Sequence, residues 1–581
     1  MPADTSPPSM SEARPAIART LVGLLSGLLV AMLATSVVST SLPRIVQDLN
    51  GSQTSFTWIV TATLLAITVS TPIWGKLADL LSRRALVIAA LIVFIAGSTA
   101  AAAAPEPLTL IAGRAVQGVG AGGLLSLVQI VLADIISPRE RGKYMGLLGA
   151  VTAAGTIAGP LVGGLVTDLF GWRWNFVGSG LIAVGSLVIV AFTLPATRGV
   201  RRRSVDYLGA LLITLGISGL LIWVTFGGIQ FPWISVPSGI LLAVTLVALA
   251  LAVWVESRVR EPIIPLSLFR SRAFVLTVCA SVAVGVATYG VAIFMSQYLQ
   301  VARDASATDS SLITMPQLIA VTLASTVVGA LVSRYGHWKR WMVTGASCQA
   351  VGLALLGTIT TSTSLPLLWV YLALVGIGIG SVMQNLVLVA ENSVDPRQLG
   401  VATAGVAFFR TLGGTVGVAA LGSVVAWRVS TLAPRLAEEA SVDLSGVDLS
   451  RLNEGGPLPS PVQQVVAESY SRGVGDAYFV CAALAALAVL CILFLPSTPL
   501  STKTRAERVS DAEREAAIDL AGGVANSSQL ARPPRADRLQ TAERSDRTSG
   551  NRLPKKEPDA LMRRKSSPQF MARDIDNIQE N

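Results

Sequence analysis

One arginine lies inside a long apolar segment. Arg114 is followed by Gln117 and Gly118 in a stretch that is otherwise made of small and aliphatic residues. A guanidinium near the middle of a bilayer costs about 2.5 to 3.5 kcal/mol on insertion scales, so it needs a buried partner or a water-filled cavity. The pattern therefore predicts that such a partner or cavity surrounds Arg114. The alternative is an arginine near a helix end that extends to the membrane surface.

A second group of charges follows another apolar segment and consists of Gly75, Asp79, Arg83 and Arg84. A carboxylate beside two guanidiniums can form ion pairs that break and re-form, which is the chemistry of a conformational latch. An ordinary basic loop at the membrane surface is the alternative. A degenerate repeat of this pattern at 329–340 favours the latch, because internal duplication is typical of transporters with two similar halves.

A third pattern is a row of small residues in one apolar segment. Its members are Gly146, Gly155, Gly159, Pro160, Gly163 and Gly164. Glycines at these spacings create a flat helix face for close packing, and a proline removes one backbone hydrogen bond and permits a kink. The segment is predicted to be a closely packed pivot helix.

The residue types needed for catalysis or metal binding are scarce. The chain has one histidine, His337, and its four cysteines lie in apolar runs without CxxC spacing. Glycines 118, 120 and 123 match GxGxxG, but no strand precedes them, so we interpret them as helix packing. We expect no enzyme activity, no metal site and no cofactor.

The elements that position these groups are predicted to be transmembrane helices. Hydrophobic residues make up 52% of the chain and charged residues 14%, and runs of about 20 apolar residues are long enough to cross the hydrocarbon core. We count fourteen such runs, so the predicted fold class is an all-α integral membrane protein. They cover about 18–41, 57–75, 84–104, 108–131, 144–166, 175–195, 207–227, 236–256, 273–297, 312–333, 342–360, 367–390, 401–426 and 475–496.

The runs are arranged as six, two and six. This predicts an N-terminal six-helix half at 18–195, an accessory helix pair at 207–256 and a C-terminal six-helix half at 273–497. A long outer loop is predicted at 428–474. Residues 1–17 are predicted to be a cytoplasmic N-terminus without the features of a signal peptide, and 498–581 a disordered cytoplasmic tail.

Basic residues indicate the orientation. Arginine and lysine cluster in the loops after even-numbered runs, which places those loops and both termini in the cytoplasm and the chain in the cell (inner) membrane. The net charge of +10 is explained by these loop residues, so we expect no nucleic-acid partner. The expected partners are a small-molecule substrate, the lipid bilayer and protons as the coupling ion, and we expect a monomer.

Taken in order, the three motifs resemble those of the major facilitator superfamily, in its fourteen-span drug:proton antiporter branch. The loop at Gly75–Arg84 resembles motif A, the run at Arg114 resembles motif B, and the glycine row at 146–164 resembles motif C of the antiporters. Further matches are Trp172-Arg173-Trp174 and the run Phe408–Gly414. The resemblance covers about residues 18–497.

The resemblance implies a function and a fold. It implies a major facilitator fold of two six-helix halves, with Arg114 involved in proton coupling and the glycine row marking an exporter. Two positions depart from the family pattern: Ser82 stands where motif A usually has glycine, and Ala34 stands where the first span usually has an aspartate. We therefore predict a secondary active exporter of small amphipathic compounds, working by alternating access and proton antiport, without the usual coupling carboxylate.

A substrate cavity is predicted between the halves. The residues chosen to line it are Met32, Trp58, Tyr289, Phe294, Gln297, Gln384 and Asn385. Three alternatives remain open. The chain could export lipid-like or neutral metabolites, it could be an importer or facilitator, or it could be a non-transporting scaffold that acts through its tail.

Overall fold

The fold is helical. The computed structural model describes residues 10–50, 53–194, 206–228, 230–259, 261–395, 398–442, 459–497 and 507. Within these ranges the only β-pairing is an isolated bridge between Gly227 and Phe231. The α-helices are α1 (Met10–Asp48), α2 (Gln53–Leu80), α3 (Arg83–Ala102), α4 (Pro107–Ile135), α5 (Pro138–Phe170), α6 (Arg173–Thr193), α7 (Tyr207–Phe226), α8 (Val236–Arg258), α9 (Arg272–Gln297), α10 (Ala307–Tyr335), α11 (Trp338–Leu356), α12 (Leu365–Asn392), α13 (Leu399–Glu439) and α14 (Ser460–Phe494).

Each predicted span overlaps one of these helices. In a bilayer an isolated segment must satisfy its own backbone hydrogen bonds, so long apolar runs become helices. Twelve helices in the described part of the chain are long and apolar enough to cross a membrane, and the exceptions are α5 and α11. The protein is therefore a multi-pass membrane protein, and spans five and eleven of the fourteen remain predictions.

Two helices extend far into the segment predicted as an outer loop. The prediction placed a loop at 428–474, but α13 continues to Glu439 and α14 begins at Ser460. At 1.5 Å per residue, the 41 residues of α13 span about 60 Å, roughly twice the thickness of the hydrocarbon core. Residues 443–458 of that segment, and the predicted tail apart from Glu507, lie outside the described residues.

The two six-helix sets pack by the same scheme. In the first, α2 and α3 pack on α4, α1 packs on α5 and α6, and α3 packs on α6. In the second, α10 and α11 pack on α12, α9 packs on α13 and α14, and α11 packs on α14. The contacts between the sets are also equivalent, because α2 packs on α13 and α10 packs on α5. Two repeated halves thus meet along two matching seams.

The accessory pair, α7 and α8, lies over one of these seams. Apolar side chains of α7 and α8 share a buried cluster with Val69 of α2 and Phe408 of α13. The ring of Phe226 at the end of α7 packs against Trp58 of α2, with ring centroids 4.8 Å apart. The other faces of the pair carry exposed aliphatic residues such as Leu211, Val244 and Val247, as expected for a surface that faces lipid.

Candidate functional site

Asp79 joins the two halves at one end of the bundle. Its Oδ1 accepts a hydrogen bond from the backbone N–H of Gly400 and its Oδ2 accepts one from Val401, both at 3.0 Å. These N–H groups belong to the first turn of α13, which has no intrahelical acceptor for them and carries the positive end of the helix dipole. A carboxylate of α2 therefore caps a helix of the opposite half. We call this end of the molecule the Asp79 end.

Gly75 allows the close approach that this cap requires. A Cβ at Gly75 would overlap the side chain of Ala404 and would lie 2.9 Å from the carbonyl oxygen of Gly400. Any larger residue at position 75 would push α2 away from the start of α13. The spacing of Gly75 and Asp79, one helical turn apart, places both residues on the face of α2 that meets α13.

The two arginines of the motif have different partners. Arg83 donates through Nε to Asp134 of α4 at 2.9 Å, and its Nη2 lies 3.6 Å from Asp79 Oδ1. Arg84 instead donates to the carbonyl oxygen of Ala191 in α6. The structure thus brings Arg83, but not Arg84, to Asp79.

A buried ion pair crosses the second seam at the same end. Arg141 in the first turn of α5 pairs with Glu391 in the last turn of α12, and both side chains are 1% exposed. Thr403 of α13 donates to Glu391 Oε1 at 2.7 Å, and Arg141 also donates to two carbonyl oxygens, of Ala133 and Ile136. Sequence analysis missed this pair. In the sequence, Glu391 is only an acid at the end of an apolar run, and Arg141 is one of several basic residues in a loop 250 residues earlier.

Arg114 is enclosed in the first half. It is 1% exposed, and its Nη1 donates to the carbonyl oxygen of Ala34 at 2.9 Å and to Gln117 Oε1 at 2.6 Å. Gln117 in turn donates to Ser98 at 2.8 Å. Among the described residues the hydrogen-bond partners of Arg114 are neutral, and its Nε has no hydrogen-bond partner. Arg114 therefore contacts the backbone at the position where the family usually has an aspartate.

Gly118 positions this arginine helix against α2. A Cβ at Gly118 would lie 2.6 Å from the carbonyl oxygen of Thr63 and 2.9 Å from the Cβ of Ala66. The glycine therefore lets α4 pack directly on α2, the helix that carries Asp79. The Arg114 group and the Asp79 contact are thus connected through one tightly packed helix pair.

The glycine row of α5 contacts two different helices. Gly146 packs on Thr326 of α10, across the seam between the halves. Gly155, Gly159 and Gly163 pack on α1, and a Cβ at Gly163 would lie 2.5 Å from the carbonyl oxygen of Val37. Gly164 has nothing within 4 Å of its Cβ position. The row thus contributes to the seam between the halves through Gly146 and to packing within the first half through the glycines that contact α1. Gly164 takes part in neither contact.

Pro160 lies within α5, between Gly159 and the Gly163 contact. Its side chain lies outside the described residues, and the kink expected there stays a prediction. Hydrogen bonds support the adjoining α1–α5 contact, since Ser36 donates to the carbonyl oxygen of Gly155 at 3.0 Å. Asn175 adds two more, to Ser41 at 2.9 Å and to Thr167 at 2.8 Å.

A cavity of 910 Å³ lies at the end of the bundle opposite Asp79. Its walls come from α2, α7, α9, α13 and α14 and from the loop that connects α7 to α8. The aromatic and polar lining residues include Trp233, Tyr289, Phe294, Gln297, Thr415 and Tyr470. We call this the cavity end. The volume lies at the upper end of the range that small-molecule sites occupy.

The predicted lining residues fall into two groups. Tyr289, Phe294 and Gln297 line this cavity. The other four lie elsewhere: Met32 packs on Gly155, Trp58 stacks on Phe226, and Gln384 and Asn385 are buried in α12. Sequence analysis did not select any residue of the accessory pair, because its uniform hydrophobicity resembles that of any lipid-facing helix.

No group of three or more histidine, cysteine or acidic residues that could hold a metal ion occurs in the described part of the chain. The four cysteines are free. The polar groups that are candidates for function are those of the Asp79 end, the Arg114 cluster and the cavity. Such groups can bind a small molecule or form contacts between helices that break and re-form. All three lie on or next to the helices that form the seams.

Comparison with known proteins identifies relatives over most of the chain. A sequence model described as Major Facilitator Superfamily matches residues 24–418. An uncharacterized MFS-type transporter of Mycobacterium tuberculosis is 34% identical over 481 residues, covering 82% of this chain and 69% of the relative. The multidrug transporter protein MdtP of Bacillus subtilis is 33% identical over 413 residues, covering 70% of this chain and 76% of the relative.

Solved structures of other transporters share the fold. The human organic anion transporter MFSD10 superimposes with a TM-score of 0.55 at 15% identity, covering 82% of this chain and 99% of that chain. The proton:xylose symporter XylE superimposes with a TM-score of 0.54 at 16% identity, covering 84% and 97%. At these identities the similarity concerns the fold alone.

Proposed function

Because the chain belongs to the major facilitator superfamily, we propose that it is a secondary active exporter of small amphipathic compounds that works by alternating access. The family and its structural neighbours are transporters. Among the relatives, the names of MdtP and of multidrug resistance protein 3 of Bacillus subtilis refer to drug transport. The assignment to the fourteen-span drug:proton antiporter branch is part of the proposal.

One observation carries the proposal: the two ends of the bundle differ. At the Asp79 end, the halves are joined by the Asp79 cap and by the Arg141–Glu391 pair. At the cavity end, residues of both halves surround a 910 Å³ space. A bundle whose halves are tied at one end and leave a cavity between α2, α9 and α13 at the other supports this proposal, because alternating access requires a state of that kind.

We assign the Asp79 end to the cytoplasm, as the basic loops indicate. The conformation is then open to the outside, and the Asp79 and Arg141 contacts form an inner latch. During the cycle both contacts must break while the cavity end closes. The hydrogen bonds of Asp79 are to backbone groups, so the latch can re-form without any rearrangement within α13.

Proton antiport is the proposed driving reaction. Arg114 is buried and its partners in the described residues are neutral. In this low-dielectric interior a change in its contacts would alter the electrostatic energy of the conformation strongly. Ala34 cannot titrate, whereas Glu391 is a carboxylate buried at a seam, with its side chain 1% exposed. We propose that coupling depends on Arg114 and on breakage of the Arg141–Glu391 pair.

The proposal is tested by export of two fluorescent probes from cells that express the chain. The probes are the permanent cation ethidium and the uncharged amine N-phenyl-1-naphthylamine. We expect export of at least one probe, abolished by a protonophore and by Arg114→Ala, and retained in the matched variant Arg270→Ala, where the arginine is exposed. If well-folded protein in the membrane exports neither probe, the exporter proposal is wrong.

A further inference from the structure

The accessory pair contributes one wall of the cavity. Leu221, Val224 and Thr225 of α7 and Trp233 of the α7–α8 loop line it, opposite Tyr289 and Thr415 of the C-terminal half. Alternating access requires only the two six-helix halves, so this participation is a separate feature of the molecule. A substrate in the cavity would therefore contact the accessory pair directly.

The cavity lining contains no charged side chain among the described residues. Its polar groups are hydroxyls, amides and backbone groups, and several are already engaged: Tyr470 donates to Gln297 Oε1 at 2.7 Å, and Thr415 donates to the carbonyl oxygen of Thr411 at 3.0 Å. The nearby Arg428 pairs with Asp476 at 2.5 Å. A permanent cation would lose its hydration in this space without gaining a counter-charge, which is costly.

Trp233 is held in place by its neighbours. A Cβ at Gly227 would lie 2.6 Å from the Trp233 ring, and one at Gly228 would lie 2.7 Å from its Nε1. Gly228 also has a φ of +78°, a conformation that favours glycine. Trp223 packs edge-on against Trp233 with ring centroids 5.0 Å apart. Trp233 as a whole residue is 40% exposed and lines the cavity, so the loop holds an indole beside the space that a substrate would occupy.

We propose that this cavity binds uncharged amphipathic compounds, with Trp233 as a residue that contacts the substrate and determines specificity. The proposal deepens the exporter function proposed above and rests on it. A fixed aromatic ring gives an apolar or aromatic part of the substrate a surface to stack on without further loss of side-chain entropy. Gln297, Thr415 and the two tyrosines then offer hydrogen bonds to its polar part.

The same two probes test this inference with four variants. We expect the wild type to export N-phenyl-1-naphthylamine in preference to ethidium, and Trp233→Ala to lower that export about fivefold through loss of the aromatic contact. Trp233→Phe keeps a flat ring and should retain most of the activity. The matched control is Trp254→Ala, because Trp254 lies on α8, is 55% exposed and does not line the cavity.

The fourth variant changes the charge of the site. Thr415→Asp places a carboxylate in the lining, and we expect it to raise ethidium export and to lower export of the uncharged probe. Preferential ethidium export by the wild type, or equal activities of Trp233→Ala and Trp254→Ala, would overturn the inference and leave the exporter function standing. Export of neither probe would overturn both.

Discussion

At the scale of single residues, the carboxylate of Asp79 connects the two halves through its own hydrogen bonds. Both of its oxygens accept from the first turn of α13, so it satisfies two donors that the helix itself cannot and opposes the positive helix end. Arg83 keeps the carboxylate in position from its own half and is itself tied to Asp134. The negative charge of Asp79 interacts with the helix end and with Arg83, and each of its two oxygens accepts a hydrogen bond.

Asp79→Asn should weaken this contact while leaving the fold intact. The amide has one acceptor oxygen and no charge, so the state closed at the Asp79 end should lose about 1 to 2 kcal/mol, or roughly tenfold in its equilibrium with the other state. The rate of probe export should fall by a similar factor. Asp168→Asn changes an exposed aspartate near the end of α5 and is the control. Wild-type rates in Asp79→Asn would exclude the latch role.

At the scale of helices, the ion pair of Arg141 and Glu391 joins α5 to α12. Removing one member of a buried pair leaves the other charge without compensation, whereas replacing both members by apolar residues can be neutral. The structure offers a contrasting pair on the surface of α14: Arg472 and Glu468 have side chains that are 53% and 28% exposed.

Glu391→Gln should therefore lower the stability of the purified protein by about 3 to 5 kcal/mol, and the double variant Arg141→Met with Glu391→Leu should recover most of the loss. Glu468→Gln should cost less than about 1 kcal/mol because solvent screens that pair. Thermal unfolding in detergent measures all three. Equal losses for Glu391→Gln and Glu468→Gln would show that the buried pair does not hold the helices together.

The glycine row of α5 permits a test at neighbouring positions. A Cβ at Gly163 would press on Val37 of α1, whereas one at Gly164 would meet nothing. Gly163→Ala should destabilise the protein by about 1 to 3 kcal/mol through overpacking, and Gly164→Ala should be neutral or should gain up to about 1 kcal/mol from helix propensity. Thermal unfolding and probe export give the readouts. Tolerance of both changes would contradict the close α1–α5 packing.

At the scale of the whole molecule, the cavity and the Asp79 contact lie at opposite ends of the seam between α2 and α13. Rotation of one half against the other would open one end as it closes the other. The accessory pair packs on α2 and α13, which belong to different halves, so it covers the seam at which that motion would take place. The orientation of the bundle then determines which side of the membrane the cavity faces.

Thiol labelling tests this arrangement in a background with the four native cysteines replaced by alanine. Thr415→Cys should react with a membrane-impermeant maleimide added outside intact cells, because Thr415 lines the cavity. Ala404→Cys, on the same helix but completely buried against Gly75, should not react. Labelling of Thr415→Cys from the cytoplasmic side alone would reverse the proposed orientation.

The amino-acid sequence alone was enough to locate the helices and the three motifs. A helix in lipid must satisfy its own backbone, so runs such as 84–104 and 236–256 identify α3 and α8 from local information. The motif of Gly75 and Asp79 was recognised as well, but it was predicted to be a loop, whereas α2 continues to Leu80 and carries both residues on one face. Family membership followed from the motifs and is shown by the relatives.

The contacts between distant helices were decided by the tertiary structure. Arg141 and Glu391 are 250 residues apart, and only the packing of α5 beside α12 brings them together. Arg84 follows Arg83 directly, yet the turn of the helix directs it to α6. The cavity is formed by side chains from both halves and from the accessory pair. Hydrophobicity determines where a helix lies along the chain, but which faces of two helices meet depends on the shapes of both.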